Sequence, residues 1–146
     1  QTLQRLRMHF SYKINKEWEL KDRIEFSWYD HAKYSRGVLM YQDVIFKPIA
    51  KPLSFTARYA IFDINSFDAR IYAYENDLLY EFYIPFFYNR GTRFYINTRY
   101  RIGRNYTWEF RIGRTWFDNI NVISSGNSQI NGNAMTEIKT QLKIRF

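Results

Sequence analysis

The sequence predicts an all-β fold, an antiparallel meander that forms a transmembrane β-barrel or part of one, with about 7–8 strands in this chain. Apolar and polar residues alternate with a period of two, in segments of roughly 10 to 13 residues. Strands of soluble domains are typically about 5 to 6 residues long, whereas a tilted strand needs roughly 9 to 11 residues to cross a bilayer. Aromatic residues also stand at the ends of these segments, where a membrane barrel carries its interfacial rings.

The first two strands flank a tight turn at Asn15 and Lys16. The first begins near Arg5, and its apolar positions are Leu6, Met8, Phe10, Tyr12 and Ile14. The second runs from Trp18 to Trp28 with the same alternation. A polar stretch over residues 30–37 follows, and we expect it to be a long loop.

Five further strands complete the meander. Residues 38–47 and 53–61 are separated by a turn bracketed by Pro48 and Pro52, which lack the N–H groups that a sheet ladder needs. The pattern returns in residues 92–102, 106–116 and 136–146. The RIGR sequence occurs twice, at residues 101–104 and 111–114, which fits hairpin symmetry rather than a solenoid repeat.

The connections alternate in length, with short ones at residues 15–16, 48–52 and 103–105 and long ones at 30–37, 65–91 and 118–133. This alternation predicts short periplasmic turns and long outer loops. It also gives seven crossings, with residues 65–91 as an outer excursion in which residues 70–75 and 78–84 form a hairpin above the membrane. Because closed bacterial barrels normally have an even number of strands, we interpret residues 1–146 as a single barrel domain or the C-terminal segment of a larger barrel.

Alternation assigns the two faces of the predicted barrel. We expect the lumen side to carry Arg5, Arg7, Lys21, Arg23, Glu25, Arg58, Arg93, Arg99, Arg101, Glu109, Arg111, Glu137, Lys139 and Lys143. We expect an aromatic girdle made of Tyr12, Trp18, Trp28, Tyr106 and Trp116. In a barrel of about eight strands the side chains fill the interior, which favours a filled lumen over a small anion-attracting pore.

Composition excludes several kinds of chemistry. The chain has 146 residues, a formal charge of +8, 21% aromatic residues and no Cys, so disordered chains, disulfide scaffolds, thiolate zinc sites and cysteine catalysis are excluded. Asp63, Asp68, Glu75 and Asp77 match no calcium-loop spacing and are expected in a solvated loop. His9 and His31 are expected to be ordinary surface residues. We predict no catalytic residue, no metal and no cofactor.

Three segments resemble the C-terminal barrel region of outer-membrane proteins from Bacteroidota, the helix-hairpin-helix-containing group. They are residues 69–95, with YAYEND at Tyr72 to Asp77, then ISSG at Ile123 to Gly126, and EIKTQLKIRF at Glu137 to Phe146. The resemblance implies an outer-membrane location and a bacterial source, but no established activity. The helix-hairpin-helix part of such proteins has no counterpart in this sequence, so no DNA-related role is transferred.

The end of the chain resembles the C-terminal signal that the outer-membrane assembly machinery reads, with Ile144 and Phe146 as its apolar residues. A strand end with an exposed ring offers an edge for strand addition. The alternative is that Phe146 is one more girdle aromatic.

These patterns favour a non-enzymatic outer-membrane barrel segment that serves as an anchor, a scaffold or a subunit of a complex. Its expected partners are the lipid bilayer, the assembly machinery and, where the barrel is incomplete, other subunits or an N-terminal part of the same chain. One alternative is a soluble β-barrel with reversed faces that carries an apolar ligand. We expect no nucleic-acid partner, because the aromatic residues lie mainly on the face opposite the basic ones.

Overall fold

The protein is a seven-stranded antiparallel meander, seen in a computed structural model that describes residues 2–30 and 34–146. The surface position predicted for His31 falls outside those ranges. The long strands are β1 (Thr2–Lys13), β2 (Trp18–Asp30), β3 (Ser35–Phe46), β4 (Leu53–Ile64), β7 (Asn89–Ile102), β8 (Tyr106–Phe117) and β11 (Ala134–Ile144). The short strands are β5 (Ile71–Tyr72), β6 (Phe86–Phe87), β9 (Val122–Ile123) and β10 (Ile130–Asn131). Two 3₁₀ turns, Phe67–Ala69 and Gly126–Ser128, complete the described elements.

The all-β meander and its seven long strands confirm the prediction, while two details of the connections were wrong. β3 begins at Ser35, so only residues 31–34 separate it from β2, and the long loop expected over residues 30–37 does not exist. In the connection between β4 and β7, the only ladder among the described residues pairs β5 with β6, and residues 78–84 form no strand. The predicted hairpin of residues 70–75 with 78–84 is therefore replaced by a different one.

Residues 14–17, 47–52 and 103–105, which were predicted as short turns on one side, connect strands at one end of the sheet. We call this the short-turn end. Residues 31–34, 65–88 and 118–133 connect strands at the opposite end, which we call the loop end.

The sheet is open and does not close into a barrel. In the described residues, β1 and β11 are the two edges of the sheet order β1-β2-β3-β4-β7-β8-β11. Both edge strands run from the loop end to the short-turn end, since Thr2 pairs with Asp30 and Ala134 pairs with Trp116. A direct β1–β11 ladder would therefore be parallel, unlike every other pair in the sheet.

The strands are staggered. Leu20 on β2, Ala57 on β4 and Ile112 on β8 belong to one row of paired residues across the sheet. Each of these strands begins at the short-turn end, and the row crosses β2 two residues after its start, β4 four residues after and β8 six residues after. A stagger of this kind accompanies the strand tilt that barrels require.

The two faces of the sheet differ in chemistry and in burial. One face, which we call the charged face, carries Arg23, Glu25, Arg58, Arg93 and Arg111, and all five side chains are buried. The other, which we call the apolar face, carries large hydrophobic side chains that are largely exposed, among them Met8, Phe10, Met40, Tyr59, Ile61, Trp108, Ile138 and Leu142. The sheet thus buries its charges and exposes its apolar residues.

Residues 65–88, which we call the covering segment, pack against the charged face. Near the loop end this contact is apolar: Leu39, Phe62 and Ile64 of the sheet meet Ile71 and Phe87 of the segment in the main hydrophobic cluster. The Phe62 and Phe87 ring centroids lie 5.2 Å apart at an interplanar angle of 64°. Hydrophobic packing therefore anchors the segment at one end of the face.

Gly91 is required where β7 approaches β8. A Cβ atom at Gly91 would lie 2.0 Å from the carbonyl oxygen of Trp116, which is backbone and cannot move aside. A Cβ atom at Gly113 of β8 would meet only ordinary contacts of 3.4 Å or more.

We therefore expect Gly91→Ala to lower the free energy of unfolding by about 1 to 3 kcal/mol through overpacking. Gly113→Ala is the matched control, with an expected change below about 1 kcal/mol. Urea unfolding of the two variants followed by tryptophan fluorescence measures both, and equal losses would contradict the close approach at Gly91.

Candidate functional site

All fourteen residues predicted to face the lumen lie on the charged face, because the strand registers keep them on one side of the sheet. The structure divides them into two groups. Buried residues are Arg23, Glu25, Arg58, Arg93, Glu109 and Arg111. Exposed or half-buried residues are Arg5, Arg7, Lys21, Arg99, Arg101, Glu137, Lys139 and Lys143. Whether this face encloses a lumen stays a prediction, since the sheet is open.

Glu75 of the covering segment is the centre of the charged network. Its carboxylate accepts hydrogen bonds from Arg93 Nε at 2.7 Å and Nη2 at 2.9 Å, and it also pairs with the Arg111 guanidinium. The exposed fractions of Glu75, Arg93 and Arg111 are 1%, 5% and 2%. The expectation that Glu75 lies in a solvated loop is therefore wrong, because two buried guanidinium groups hold its carboxylate against the sheet.

Two more groups complete the surroundings of Arg93. Its Nη1 donates to Thr115 Oγ1 at 2.7 Å, and its Nη2 donates to Glu137 Oε2 at 2.8 Å. A buried charge is tolerated when it is paired and hydrogen-bonded in this way.

Backbone carbonyl groups of the covering segment accept hydrogen bonds from three arginines of the sheet. Arg23 Nη2 donates to the carbonyl oxygen of Tyr72 at 3.1 Å, and Arg58 Nη1 donates to that of Tyr74 at 2.6 Å. The Asn76 carbonyl oxygen accepts from Arg111. Three carbonyl groups, at every second residue, thus point at three arginines of the sheet.

Asp77 joins the covering segment to the edge strand β11. Its Oδ2 accepts from Lys139 Nζ at 2.8 Å, and its Oδ1 accepts from the Leu78 backbone N–H at 2.8 Å. Burial alone would raise the pKa of the Asp77 carboxyl, but these two hydrogen bonds outweigh burial and lower it below the usual value. The prediction that Asp77 lies in a solvated loop is therefore also wrong. Asp68 is exposed as expected, whereas Asp63 is exposed but lies in strand β4 and not in a loop.

Two tyrosines were not among the predicted site residues, and they lie near Asp43, which alternation places on the lumen side. Asp43 accepts from Arg58 Nε at 2.6 Å and Nη2 at 2.7 Å. The Arg58 guanidinium lies 3.6 Å from the Tyr41 ring centroid, and Arg111 lies 4.4 Å from that of Tyr95. Period-two alternation places all three on the arginine side, so position in the strand was the available signal.

The remaining carboxylates of the charged face are also paired. Glu25 accepts from Arg7 Nε at 2.8 Å and pairs with Arg23. Glu109 pairs with Arg99 and accepts from the Leu79 N–H at 2.7 Å. The charged face is therefore a network of ion pairs between the strands and the covering segment.

The residues predicted for the aromatic girdle lie on the apolar face, at both ends of the strands. Tyr12, Trp18 and Tyr106 are at the short-turn end, and Trp28 and Trp116 are at the loop end. Trp18 packs on Phe46, with ring centroids 4.6 Å apart, and on Phe55 at 5.7 Å. Ile144 ends β11 on the same face, and Phe146 is fully exposed beyond it.

The residues that the structure describes include no group of three His, Asp or Glu side chains that could hold a metal ion. In residues 2–30 and 34–146, no helix is long and apolar enough to span a membrane. Comparison of the chain with protein-family models, with curated proteins and with solved structures finds no match.

Glu75→Gln tests the buried network. We expect it to lower the free energy of unfolding by about 3 to 5 kcal/mol, because Arg93 and Arg111 would stay buried without their shared carboxylate. Asp68→Asn, on an exposed carboxylate of the same segment, is the control and is expected to change stability by less than about 0.5 kcal/mol. Denaturant titration measures the unfolding free energy of both variants. A loss for Glu75→Gln as small as that for Asp68→Asn would contradict the central role of Glu75.

The lowered pKa of Asp77 predicts that the folded protein loses stability in acid. Because its pKa is lower in the folded state than in the unfolded chain, its contribution to stability is complete above the unfolded value of about 3.9 and is lost as the pH falls through the folded value. We expect wild type to lose more unfolding free energy than Asp77→Asn when the pH falls from about 5 to about 2. Parallel losses in urea unfolding at each pH would refute this assignment.

Proposed function

We propose that this chain is an outer-membrane β-barrel segment that serves as a non-enzymatic anchor, scaffold or subunit of a complex, with its charged face filled by the covering segment. The observation that carries the proposal is the inverted burial of the sheet. At the centre of the charged face, arginines and glutamates such as Arg93, Arg111 and Glu25 are buried, while apolar residues such as Ile138, 65% exposed, and Leu142, 58% exposed, have no protein partner covering them. Hydrocarbon is the environment in which such a face is stable.

The size of the exposed apolar surface supports the proposal. Every long strand contributes apolar side chains to this face, from Phe10 on β1 to Ile138 on β11. Soluble monomers rarely expose a continuous apolar patch larger than a few hundred Å². A continuous face of this kind marks contact with lipid or with another protein.

Tryptophan and tyrosine at both ends of the apolar face give it the arrangement expected of a lipid-facing surface. Between them, several mid-strand positions are aliphatic, such as Ile24, Ile96 and Ile112, and others are aromatic, such as Tyr59 and Phe94. Amphipathic rings favour the headgroup level, so the tryptophans and tyrosines at the two strand ends support a lipid-facing surface.

The two alternatives have less support. A soluble barrel that carries an apolar ligand needs apolar residues inside and charges outside, which is the reverse of the observed burial. An anion-attracting pore needs open space along unpaired cations. Here Arg93 and Arg111 are paired with Glu75, and Arg58 with Asp43, beneath the covering segment.

The open sheet requires completion in a bilayer, because unpaired strand edges cannot be hydrated there. β1 and β11 run in the same direction, so one added strand antiparallel to both would close an even-numbered barrel. We propose that a further part of the same polypeptide or another subunit supplies it. The resemblance to Bacteroidota outer-membrane proteins supports this location, with Ile144 and Phe146 as the signal for the assembly machinery.

Paired arginine substitutions test the membrane assignment. Ile138, midway along β11 on the apolar face, and Ser11, on β1 on the charged face, are both exposed, so arginine would be tolerated at either site in water. In lipid vesicles we expect Ile138→Arg to lower the unfolding free energy by about 2 to 4 kcal/mol if its side chain lies near mid-bilayer, and Ser11→Arg by less than about 1 kcal/mol. The measurement is urea unfolding of protein folded into phosphatidylcholine vesicles.

Equal tolerance of arginine at both sites in vesicles would contradict the proposal. So would recovery of the native protein from bacterial membranes by aqueous buffer without detergent, since a lipid-exposed apolar face requires detergent for extraction.

A further inference from the structure

Nearly all of the excess positive charge lies at the short-turn end. Residues 13–21, 47–52, 99–109 and 143–146 contain ten Lys or Arg and three Glu, an excess of seven in a chain whose formal charge is +8. The rest of the chain is close to neutral. Ten like charges at one end repel one another, so this arrangement favours an anionic partner there.

These cations are exposed and largely without carboxylate partners. Lys13, Lys47 and Arg101 form no ion pair among the described residues, and Arg101 donates only a long 3.4 Å hydrogen bond to the Lys51 carbonyl oxygen. Lys21 lies 3.6 Å from Glu19 in an exposed pair, which contributes little. The buried half of the charged face is neutralised, whereas this half is not.

The covering segment shows how the charged face binds an acidic peptide. It approaches without regular structure, places Glu75 and Asp77 on arginines and a lysine, and turns alternate carbonyl groups to Arg23, Arg58 and Arg111. The sheet thus recognises carboxylates and carbonyl groups together, which is the chemistry of an extended acidic peptide.

The covering segment reaches the basic end at Glu109 of β8 and Lys143 of β11. Its last contacts in that direction are Glu81 with Lys139 and the Tyr80 hydroxyl with Lys143 Nζ, at 2.6 and 2.9 Å. Beside Asp77 lies a polar cavity of about 120 Å³ between the segment and the sheet, and its wall contains Lys47 and Arg99 as well as the carboxylates of Asp77 and Glu109. The charged face therefore continues past the segment with its cations uncovered.

We propose that the exposed cations of the short-turn end bind an acidic peptide segment of a partner protein, which continues along the charged face from where the covering segment ends. The strand aromatics of this end, such as Trp18 and Trp108, lie on the apolar face, away from these cations. Carboxylates and carbonyl groups are the partners that the buried arginines take, so an acidic peptide fits this surface better than a nucleic acid, which needs rings for base stacking. This inference does not depend on membrane insertion, because it concerns only the charged face and the turns.

The test measures fluorescence anisotropy of a dye-labelled peptide of alternating Glu and Ser, titrated with detergent-solubilised full chain. Lys13→Gln/Lys47→Gln/Arg101→Gln removes three exposed cations of the short-turn end. Arg36→Gln/Arg90→Gln/Arg114→Gln is the control, because it removes the same charge from exposed positions toward the loop end of the apolar face.

We expect the short-turn variant to weaken peptide binding about tenfold and the control less than about twofold. Binding by wild type should weaken when ionic strength rises from about 0.01 to 0.15 M, because the Debye length shortens from about 30 to about 8 Å. Circular dichroism and the unfolding midpoint verify that each variant is folded. If the triple variant does not fold, each single substitution is expected to weaken binding about twofold, which is an equal share of the tenfold loss.

Absence of peptide binding, or equal loss in both triple variants, would overturn the proposal, since equal loss indicates only a response to net charge. Tighter binding of a single-stranded oligonucleotide of the same charge would also overturn it. None of these results bears on the arginine-insertion experiment in vesicles, so the two proposals fail separately.

Discussion

The structure depends on compensation of the arginine charges that its central strands bury. Arg58, Arg93 and Arg111 point to the same side of the sheet, and each would be costly to bury alone. Asp43 on the neighbouring strand pairs with Arg58, and Glu137 of β11 pairs with Arg93, but Glu75 is the carboxylate that pairs with both Arg93 and Arg111. The covering segment is thus a structural requirement of the sheet, because without it two guanidinium groups lack their shared counter-ion.

The same constraint explains the apolar face. In a strand, residues that alternate with buried charges must point the other way, so a sheet that encloses arginines presents its aliphatic and aromatic residues outward. Ile96 and Ile112 alternate with Tyr95 and Arg111 in this manner. The buried charges and the exposed apolar side chains are therefore two consequences of the same period-two alternation. A nonpolar solvent around the apolar face is compatible with both.

Period-two alternation predicts the seven strands and the side to which each charged residue points, because side-chain direction in a strand follows from position alone. It does not predict the inward folding of residues 65–88, since Glu75 and Asp77 lie in irregular backbone whose partners are remote in sequence. It also misplaces the start of β3, because Ser35 to Gly37 are turn-prone residues that pair with β2 through backbone groups. Contacts between residues distant in sequence determine where residues 65–88 lie, and strand pairing determines where β3 begins. The sequence pattern reports only local preference.

Two kinds of interaction hold the covering segment, and they act at different positions along the charged face, one near the loop end and one farther from it. Near the loop end, Leu39, Phe62 and Ile64 replace charged residues on the same side of β3 and β4, so the segment is packed there by apolar contact. Farther along, Glu75 and Asp77 hold it by ion pairs, and the pairs of Glu75 with Arg93 and Arg111 are shielded from solvent ions. Salt screens exposed pairs far more than buried ones and does not weaken apolar packing. High ionic strength alone therefore leaves the segment in place, and its displacement requires loss of carboxylate charge together with loss of apolar contact.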